Sequence, residues 1–498
     1  MSAKRRASNR DLAVHFTDFF EVDPRELEKY GAFNISLVND LPLFIDPFLL
    51  FNSSKARYQT LHAEIIRYMR FLRDRAAAGE VDRGLLRAWF HFPEIRQNWL
   101  GFSQTGNRGH GLGRDFATAL HKGLRSVFSD FGEETVTESS HIEKLTLISS
   151  GVGRDNISDF TTNLILGFLA TYTQTFARQH IDARMRDEFT LSKVRFNYET
   201  RSWVSDTFQL PSLGGDFVLL TPIDILTRDE AWINRPELLE RLPALTAALP
   251  DDALRSQVNQ YLLRVLPRDP KATEKEKREA VARVVERFPA VLDYYIRDKE
   301  DHGDKAQAVA AERVSEVRTV FVEQIRDLVN ALLATHFYDS AGATYQEAKE
   351  RLVFLKDVIE NKGGHRIFYV KGKPIERESD LHILYRMTWF ATPSDVSREV
   401  DDGRGPADFK ISRGAADKTL VEFKLAKNRQ LERNLEKQTE VYEGASDPTN
   451  PSLKAILFFT EAEHDRVVRI LKKLKLQDSP HIVLIDARSD NKPSGSKA

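Results

Sequence analysis

The sequence predicts a multidomain α/β protein with an N-terminal α+β domain, a helical middle region and a C-terminal αβββαβ domain. Three observations lead to this prediction. Helix-like and strand-like apolar patterns mix over residues 1–230, charged helical patterns dominate 231–362, and short strands alternate with helices over 363–488. The polar residues 489–498 lack any apolar pattern, which predicts a disordered tail.

The composition places the chain among ordinary soluble globular proteins. Its 498 residues are 41% hydrophobic and 30% charged, and they suffice for roughly two to four domains. With 73 basic and 74 acidic residues the formal net charge is −1, so a nucleic-acid-binding surface must be a local patch. The sequence has no cysteine, which excludes disulfides, thiolate zinc sites and cysteine nucleophiles.

We expect a cytoplasmic protein without a membrane partner. The basic N-terminus is not followed by the apolar stretch of a secretory signal. The most apolar stretches, 41–51 and 164–172, are too short to span a bilayer. The absence of cysteine also fits a reducing compartment.

The N-terminal region mixes both kinds of secondary structure. Apolar residues at helical spacing predict helices over 55–78, 116–128 and 158–179. Apolar runs between turn residues predict strands over 33–38, 145–148, 189–198, 203–210 and 217–225. We assign no family to this region.

Four polar residues in the N-terminal region form a possible second site. Asp46 ends an apolar run, and the alternative is a cap or turn residue. His110 lies in the glycine-rich stretch 101–115, which either binds an anion at a helix start or is a loop. Asp155 and Asp159 are four residues apart and share a helix face if the helix starts early. The alternative is that Asp155 or Ser158 caps the helix.

The middle region is predicted to be helical and highly charged. Its clearest helices cover 271–289 and 305–336, and a helix also covers 341–361. The second of these carries apolar residues at helical spacing: Val314, Val317, Phe321, Ile325 and Leu328. A helical bundle and a coiled-coil arm both fit this pattern, and either can support a homo-oligomer.

The C-terminal region has the element order α-β-β-β-α-β-α-β. Short apolar runs predict strands over 396–400, 407–411, 419–425, 455–459 and 482–485. Helical spacing predicts helices over 378–389, 428–443 and 461–476. The second and third strands are joined by a short turn, so we expect them to be neighbours in a hairpin.

This hairpin carries the main candidate site. Glu422 and Lys424 are two residues apart and face the same side of their strand, and the neighbouring strand can present Asp408 beside them. Two carboxylates about 4–5 Å apart repel each other, which favours a divalent cation such as Mg²⁺ (or Mn²⁺) between them. Such an ion can activate a water for attack on a phosphodiester, while Lys424 orients the water or stabilises charge on the phosphate.

These residues resemble the PD-(D/E)xK nuclease superfamily, whose fold is that of restriction endonucleases. Pro406-Ala-Asp408 is followed by Glu422-Phe-Lys424, although the family pattern has Pro directly before the Asp. The next helix carries Gln438-Thr-Glu-Val-Tyr442, which is similar to the Gln-x-x-x-Tyr motif of the RecB-like branch. The resemblance covers about residues 365–488.

The resemblance implies a role for each matching residue. Asp408 and Glu422 would bind the metal and Lys424 would act on the reacting groups. Gln438 and Tyr442 would support the site or contact DNA. The family also has an acidic residue on its first core helix, for which Glu378 is the candidate and Glu399 the competitor.

Taken together, the resemblance implies a Mg²⁺-dependent deoxyribonuclease, whose partner is DNA. Lys427, Arg429, Arg433 and Lys437 can neutralise DNA phosphates, although interleaved glutamates also fit an ordinary helix surface. The large upstream region suggests a sensor or specificity portion, as in bacterial anti-phage defence or restriction-type effectors. The alternative is a non-catalytic protein that uses a nuclease-like platform to bind nucleic acid or protein.

Overall fold

A computed structural model of the protein shows a multidomain fold of mixed α and β structure. The residues that it describes are 14–38, 40–101, 114–126, 131–148, 153–228, 230–247, 249–265, 274–324, 326, 343–361, 364–370, 373–374, 382, 385, 389, 394–401, 406–413, 417–436 and 452–492.

Helices dominate the N-terminal region. The longest, Ala56–Ala77, confirms the predicted helix over 55–78 and buries the apolar residues that predicted it. The other helices of this region are Phe16–Phe19, Pro24–Tyr30, Pro47–Phe51, Arg83–Leu85, Leu86–Phe90 (a π-helical turn), Arg96–Asn98 (3₁₀), Arg114–Ser126, Lys144–Ile148, Arg154–Leu164, Leu166–His180, Ala183–Met185 (3₁₀) and Ile223–Ile225 (3₁₀). The predicted helix over 158–179 is therefore two helices that meet at Ile165.

The N-terminal strands form two small antiparallel sheets. They are β1 (Leu43–Ile45), β2 (Arg186–Asn197), β3 (Ser202–Leu213), β4 (Asp216–Phe217) and β5 (Leu226–Arg228). β1 pairs with β5, and β2, β3 and β4 form a three-stranded meander, which confirms the strands predicted over 189–198 and 203–210.

Three predicted strands of this region are wrong or shorter. Residues 145–148 belong to the helix Lys144–Ile148, because a short apolar run fits a buried helix as well as a strand. Residues 33–38 are not a strand, and within this range Ser36 makes an isolated antiparallel bridge to His15. The strand predicted over 217–225 ends at Phe217, and a 3₁₀ turn follows at Ile223–Ile225.

The middle region is a helical bundle with its own core. Its helices are Arg235–Ala247, Asp252–Val265, Glu274–Arg287, Ala290–Glu300 and Gly303–Arg318, and the last continues as a π-helical turn, Thr319–Gln324. The bundle core also contains Phe48, Leu49 and Leu147 of the N-terminal region. Val314, Val317 and Phe321 belong to a core cluster that also contains residues of the N-terminal region and of the C-terminal sheet, so this described part of the stripe is covered within the chain. The predicted homo-oligomer stays a prediction.

The C-terminal region is built on one five-stranded sheet. After a small hairpin of β6 (Tyr369–Val370) and β7 (Lys373–Pro374), its strands are β8 (Asp395–Asp401), β9 (Pro406–Arg413), β10 (Asp417–Leu425), β11 (Leu453–Phe458) and β12 (Ile482–Asp486). Their order is β12-β11-β10-β9-β8, with antiparallel pairing among β8, β9 and β10 and parallel pairing among β10, β11 and β12. All five predicted strands are confirmed.

Helices cover both faces of this sheet. The helix Thr344–Asn361, predicted as part of the middle region, packs on one face because its buried side, with Leu352, Leu355 and Ile359, meets β10, β11 and β12. The helix Glu461–Lys473 and the helical residues 431–436 pack on the other face. Asp408, Glu422 and Lys424 lie on this second face of the sheet. The helices on that face therefore limit how much of the site is accessible.

Two further predictions concern the ends of the protein and its relation to membranes. Within the described ranges, none of the helices has both the length and the apolar character that a membrane crossing requires. Of the predicted tail 489–498, the structure describes the first four residues, and the Lys492 ammonium lies 3.8 Å from the Asp486 carboxylate.

The C-terminal region also contains a 3₁₀ turn, Gly364–Phe368, which precedes β6.

Candidate active site in the C-terminal sheet

The pairing of β9 with β10 brings Asp408 beside Glu422. The antiparallel register pairs Phe409 with Val421, so Asp408 and Glu422 are at the next position along the two strands. Residues at opposite positions of an antiparallel pair point to the same face of the sheet. Phe409, Val421 and Phe423 turn to the other face, where they are buried. Alternation along the strands thus separates the charged face from the apolar face.

The Lys424 ammonium lies between the two carboxylates. Its Nζ is 3.7 Å from Asp408 Oδ2 and 3.9 Å from Glu422 Oε2. Asp408 Oδ2 also accepts a hydrogen bond of 2.6 Å from the backbone N–H of Phe423. The structure therefore brings Asp408, Glu422 and Lys424 together at one point of the sheet.

The charges around Asp408 keep its carboxyl group ionised. Burial by itself raises the pKa of this group, but His382, Lys424 and the Phe423 N–H outweigh burial and hold the pKa below its ordinary value. A carboxylate that stays ionised while partly buried is suited to bind a cation.

His382 is a further member of the site that the sequence analysis missed. Its Nε2 lies 3.6 Å from Asp408 Oδ2, and its ring contacts those of Phe409 and Phe423 at centroid distances of 5.6 and 5.3 Å. His382 and Tyr385 are helical and buried, three residues apart on the helix predicted over 378–389. That spacing is the signal that could have found it, because residues three apart share a helix face.

Three side chains of this site can hold a metal ion. Asp408 and Glu422 offer carboxylate oxygens, which suit Mg²⁺ or Mn²⁺, and His382 offers a ring nitrogen, which transition-metal ions accept more readily than Mg²⁺ does. The three groups do not all lie within 4.8 Å of one another. Within the described part of the chain, the set of three that does is Glu461, His464 and Asp465, on an accessible helix. We favour the first set because His382 and Glu422 are buried, Asp408 is partly buried, and a lysine lies beside them.

Several predicted site residues lie outside the described residues. They are His110, Glu378, Lys437, Gln438 and Tyr442. Glu399 lies in β8. Their roles stay predictions.

The basic residues that follow β10 are accessible to a ligand. Lys427, Arg429 and Arg433 are exposed, in the turn after β10 and the first helical turn that follows. Arg466 holds this turn, because its guanidinium donates to the backbone oxygens of Ala426 (2.8 Å) and Asn428 (2.9 Å). The patch is thus held in a defined place relative to the strand that carries Glu422 and Lys424.

Asp46 of the possible second site has a structural role. Its side chain caps the helix Pro47–Phe51 by accepting from the N–H of Phe48 (3.1 Å), and it also accepts from the N–H of Trp232 (2.8 Å). Asp46 is buried, so it meets no external ligand directly. The capping alternative is therefore the one that the contacts support.

Asp46 shares its buried position with a second carboxyl group, that of Glu143. Burial raises the pKa of Glu143 well above its ordinary value, and the neighbouring charge of Asp46 adds to this effect. Burial also raises the pKa of Asp46, although the N–H groups of Trp232 and Phe48 oppose it. Burial and the charge of Asp46 both favour the protonated form of Glu143.

Asp155 and Asp159 share a helix but do not join Asp46. The helix Arg154–Leu164 starts early enough to include both, and Gly153 rather than Asp155 or Ser158 is its N-cap residue. Burial, with Glu94 and Asp155 adding to it, raises the pKa of Asp159 to about 7. Asp46, Asp155 and Asp159 are not among the described groups of three that lie within 4.8 Å of one another.

Comparison with known proteins gives two family matches. Residues 21–234 match a family described as Domain of unknown function (DUF8370), and residues 344–461 match one described as Domain of unknown function (DUF8371). No curated protein and no solved structure matches the chain. The second match begins with the helix Thr344–Asn361 and contains Asp408, Glu422 and Lys424, so the candidate site lies within a single family domain.

Proposed function

We propose that the C-terminal region is a metal-dependent nuclease with a restriction-endonuclease-like fold of the PD-(D/E)xK superfamily, RecB-like branch. The observation that supports this most is the convergence of Asp408, Glu422 and Lys424 on one face of the sheet, with Lys424 Nζ within 4 Å of both carboxylates. The mixed pairing of the sheet and its two helical layers are compatible with this fold.

The reaction is hydrolysis of a phosphodiester bond. The oxygen of a water attacks phosphorus, the bond from phosphorus to the leaving oxygen breaks, and the leaving oxygen takes up a proton. Asp408 and Glu422, with His382, would hold a Mg²⁺ or Mn²⁺ ion, which supplies Lewis-acid stabilisation and a more acidic water when bound. Lys424 stabilises the negative charge that grows on the phosphate oxygens.

The substrate in this proposal is DNA. Lys427, Arg429 and Arg433 contact its phosphates beside the strand that carries Glu422, which is a positioning contact and not a sequence-reading one. The N-terminal region then serves as the sensor or specificity portion of a bacterial anti-phage or restriction-type effector. This biological role rests on the analogy of architecture alone.

The experiment is cleavage of supercoiled plasmid, linear duplex and single-stranded DNA by the full-length protein with Mg²⁺ or Mn²⁺. We expect metal-dependent cleavage of at least one substrate, which EDTA stops and which Glu422→Gln abolishes. Glu432→Gln is the matched control, because Glu432 is paired with Lys473 on the outer surface (2.5 Å) and does not belong to the site. Cleavage that persists in Glu422→Gln would refute the assignment.

The second candidate function is a binding protein with a nuclease-like platform. Tight DNA binding without cleavage by any metal-loaded form would favour it. The ionised state of Asp408 beside Lys424 argues for the nuclease, because a platform that only binds anions gains nothing from two carboxylates on its binding face.

A further inference from the structure

A second lysine lies beside the candidate site and has no role in the reaction described so far. Lys454 is on β11, and the parallel register of β10 with β11 pairs it directly with Glu422. Paired residues of neighbouring strands point to the same face of a sheet. Asp408, Glu422 and Lys454 therefore form one row across three strands, in the order carboxylate, carboxylate, ammonium.

Lys454 is buried, which is unusual for a lysine. It is 7% exposed, as is Glu422. Burial lowers the pKa of the Lys454 ammonium, and Glu422 opposes this change. Its neighbours on the same face, Ile456 in β11 and Ile482 in β12, are apolar and pack under the outer helices.

An apolar residue at position 454 would suit this packing better. A buried charge is costly to desolvate, and replacing a buried ion pair with apolar residues is often neutral or stabilising. The lysine is therefore better explained by chemistry at Glu422 than by stability. Its position adds a second ammonium to a site that already has the Lys424 ammonium between the two carboxylates.

The charges of this row balance when the reaction partners are added. The carboxylates of Asp408 and Glu422 and the ammonium groups of Lys424 and Lys454 together carry no net charge. The two positive charges of a divalent cation therefore balance the reacting phosphate, whose charge increases from −1 to −2 in the transition state. A divalent cation on Glu422 also competes with the Lys454 ammonium for the same carboxylate. Once the cation has displaced the Lys454 ammonium from Glu422, the anion to which that ammonium can bind next is the substrate phosphate.

We propose that Lys454 is a further catalytic residue, which pairs with Glu422 in the metal-free protein and contacts a non-bridging oxygen of the scissile phosphate once a divalent ion has bound. The inference rests on the proposed function. It makes a specific prediction, because the same lysine that assists the reaction also opposes metal binding.

The test measures two quantities on the full-length protein: Mn²⁺ binding without DNA, by titration calorimetry, and steady-state cleavage of duplex DNA. Lys454→Met removes the charge and keeps the length of the side chain. We expect it to bind Mn²⁺ roughly three- to tenfold more tightly and to lower kcat about 100-fold. Lys454→Arg keeps the charge, so its Mn²⁺ affinity should stay within about twofold of the parent's.

Three variants complete the design. Glu422→Gln identifies the part of the Mn²⁺ binding that belongs to this site. Lys473→Met is the matched control, because Lys473 is 72% exposed on an outer helix, and it should change neither quantity. Lys454→Gln replaces Lys454→Met if thermal unfolding shows that the methionine variant is misfolded.

The outcomes separate this inference from the proposed function. Weaker Mn²⁺ binding together with slower cleavage in Lys454→Met would show a purely structural lysine and overturn the inference, as would an unchanged kcat. A parent protein that cleaves no DNA would overturn the proposed function and with it the phosphate contact. In that case the Mn²⁺ titration alone still decides whether Lys454 competes for Glu422.

Discussion

The protein contains two pairs of neighbouring carboxyl groups in opposite environments. Asp408 and Glu422 have a lysine within 4 Å of both, and the pKa of Asp408 is lowered. Asp46 and Glu143 are fully buried without such a lysine between them, and the pKa of each is raised. In our proposal the first pair binds a metal ion. In the second pair burial favours the protonated form of Glu143, and Asp46 accepts a hydrogen bond from the Trp232 N–H of the middle region. The opposite directions of these pKa shifts are due to the neighbouring cations and not to the carboxyl groups themselves.

The largest expected effect separates the two pairs by activity. Asp408→Asn should lower the DNA cleavage rate by about a thousandfold or more, because in our proposal it removes a ligand of the metal ion. Asp46→Asn should leave cleavage by the folded protein within about threefold of the parent's. The measurement is initial cleavage rate at saturating Mg²⁺. If Asp408→Asn and Asp46→Asn lowered the cleavage rate equally, the two carboxyl pairs would not differ in function.

The second expected effect is on the free energy of unfolding, to which we expect the Asp46–Glu143 pair to contribute. Asp46→Ala removes a helix cap and leaves the buried N–H of Trp232 without its acceptor, which should cost about 2–3 kcal/mol. We expect the unfolding temperature of that region to fall by roughly 5–10 °C in calorimetry. Asp23→Ala is the control, since Asp23 caps the helix Pro24–Tyr30 at an exposed position and should cost less. A smaller loss in Asp46→Ala than in Asp23→Ala would contradict the structural role.

The third effect concerns the proton on Glu143. Because its pKa is higher in the folded protein than in the unfolded chain, the native state favours the proton, so stability is lost as the pH rises through the folded-state pKa. Glu143→Gln keeps the size of the side chain and cannot ionise. It should raise the free energy of unfolding by about 1–2 kcal/mol at neutral and alkaline pH and flatten its dependence on pH, measured by urea unfolding between pH 5 and 9. A lower stability at pH 8 would show that Glu143 is ionised in the fold.

The smallest effect tests which region contacts DNA. Arg429→Gln with Arg433→Gln should weaken DNA binding a few-fold and reduce the slope of log affinity against log salt by roughly 1 to 2. The exposed Arg195 of β2 serves as the N-terminal control, and Arg195→Gln should leave the slope unchanged. If the salt dependence of DNA affinity changed only in Arg195→Gln, the DNA-binding surface would be in the N-terminal region instead.

Sequence patterns predicted the C-terminal sheet better than the N-terminal region. The structure has all five predicted strands of the sheet, of which β11 and β12 are largely apolar runs. The run at 145–148 had the same apolar character but no neighbouring strand to pair with, and it is a helix. Local pattern decides secondary structure where tertiary pairing agrees with it, and tertiary contacts override it elsewhere.

The sequence by itself determined the charged hairpin: alternation in a strand puts Glu422 and Lys424 on one face, and a short turn makes the strand with Asp408 its neighbour. Only the tertiary structure decided that His382 reaches Asp408 from a helix and that Lys454 stands beside Glu422 from a parallel strand. His382 is 26 residues from Asp408 in the chain and Lys454 is 32 residues from Glu422, and no local periodicity specifies the register of a parallel strand. For the same reason, only the structure could decide between a ligand and a cap at Asp46, because it shows the carboxylate accepting from the N–H groups of Phe48 and of the distant Trp232.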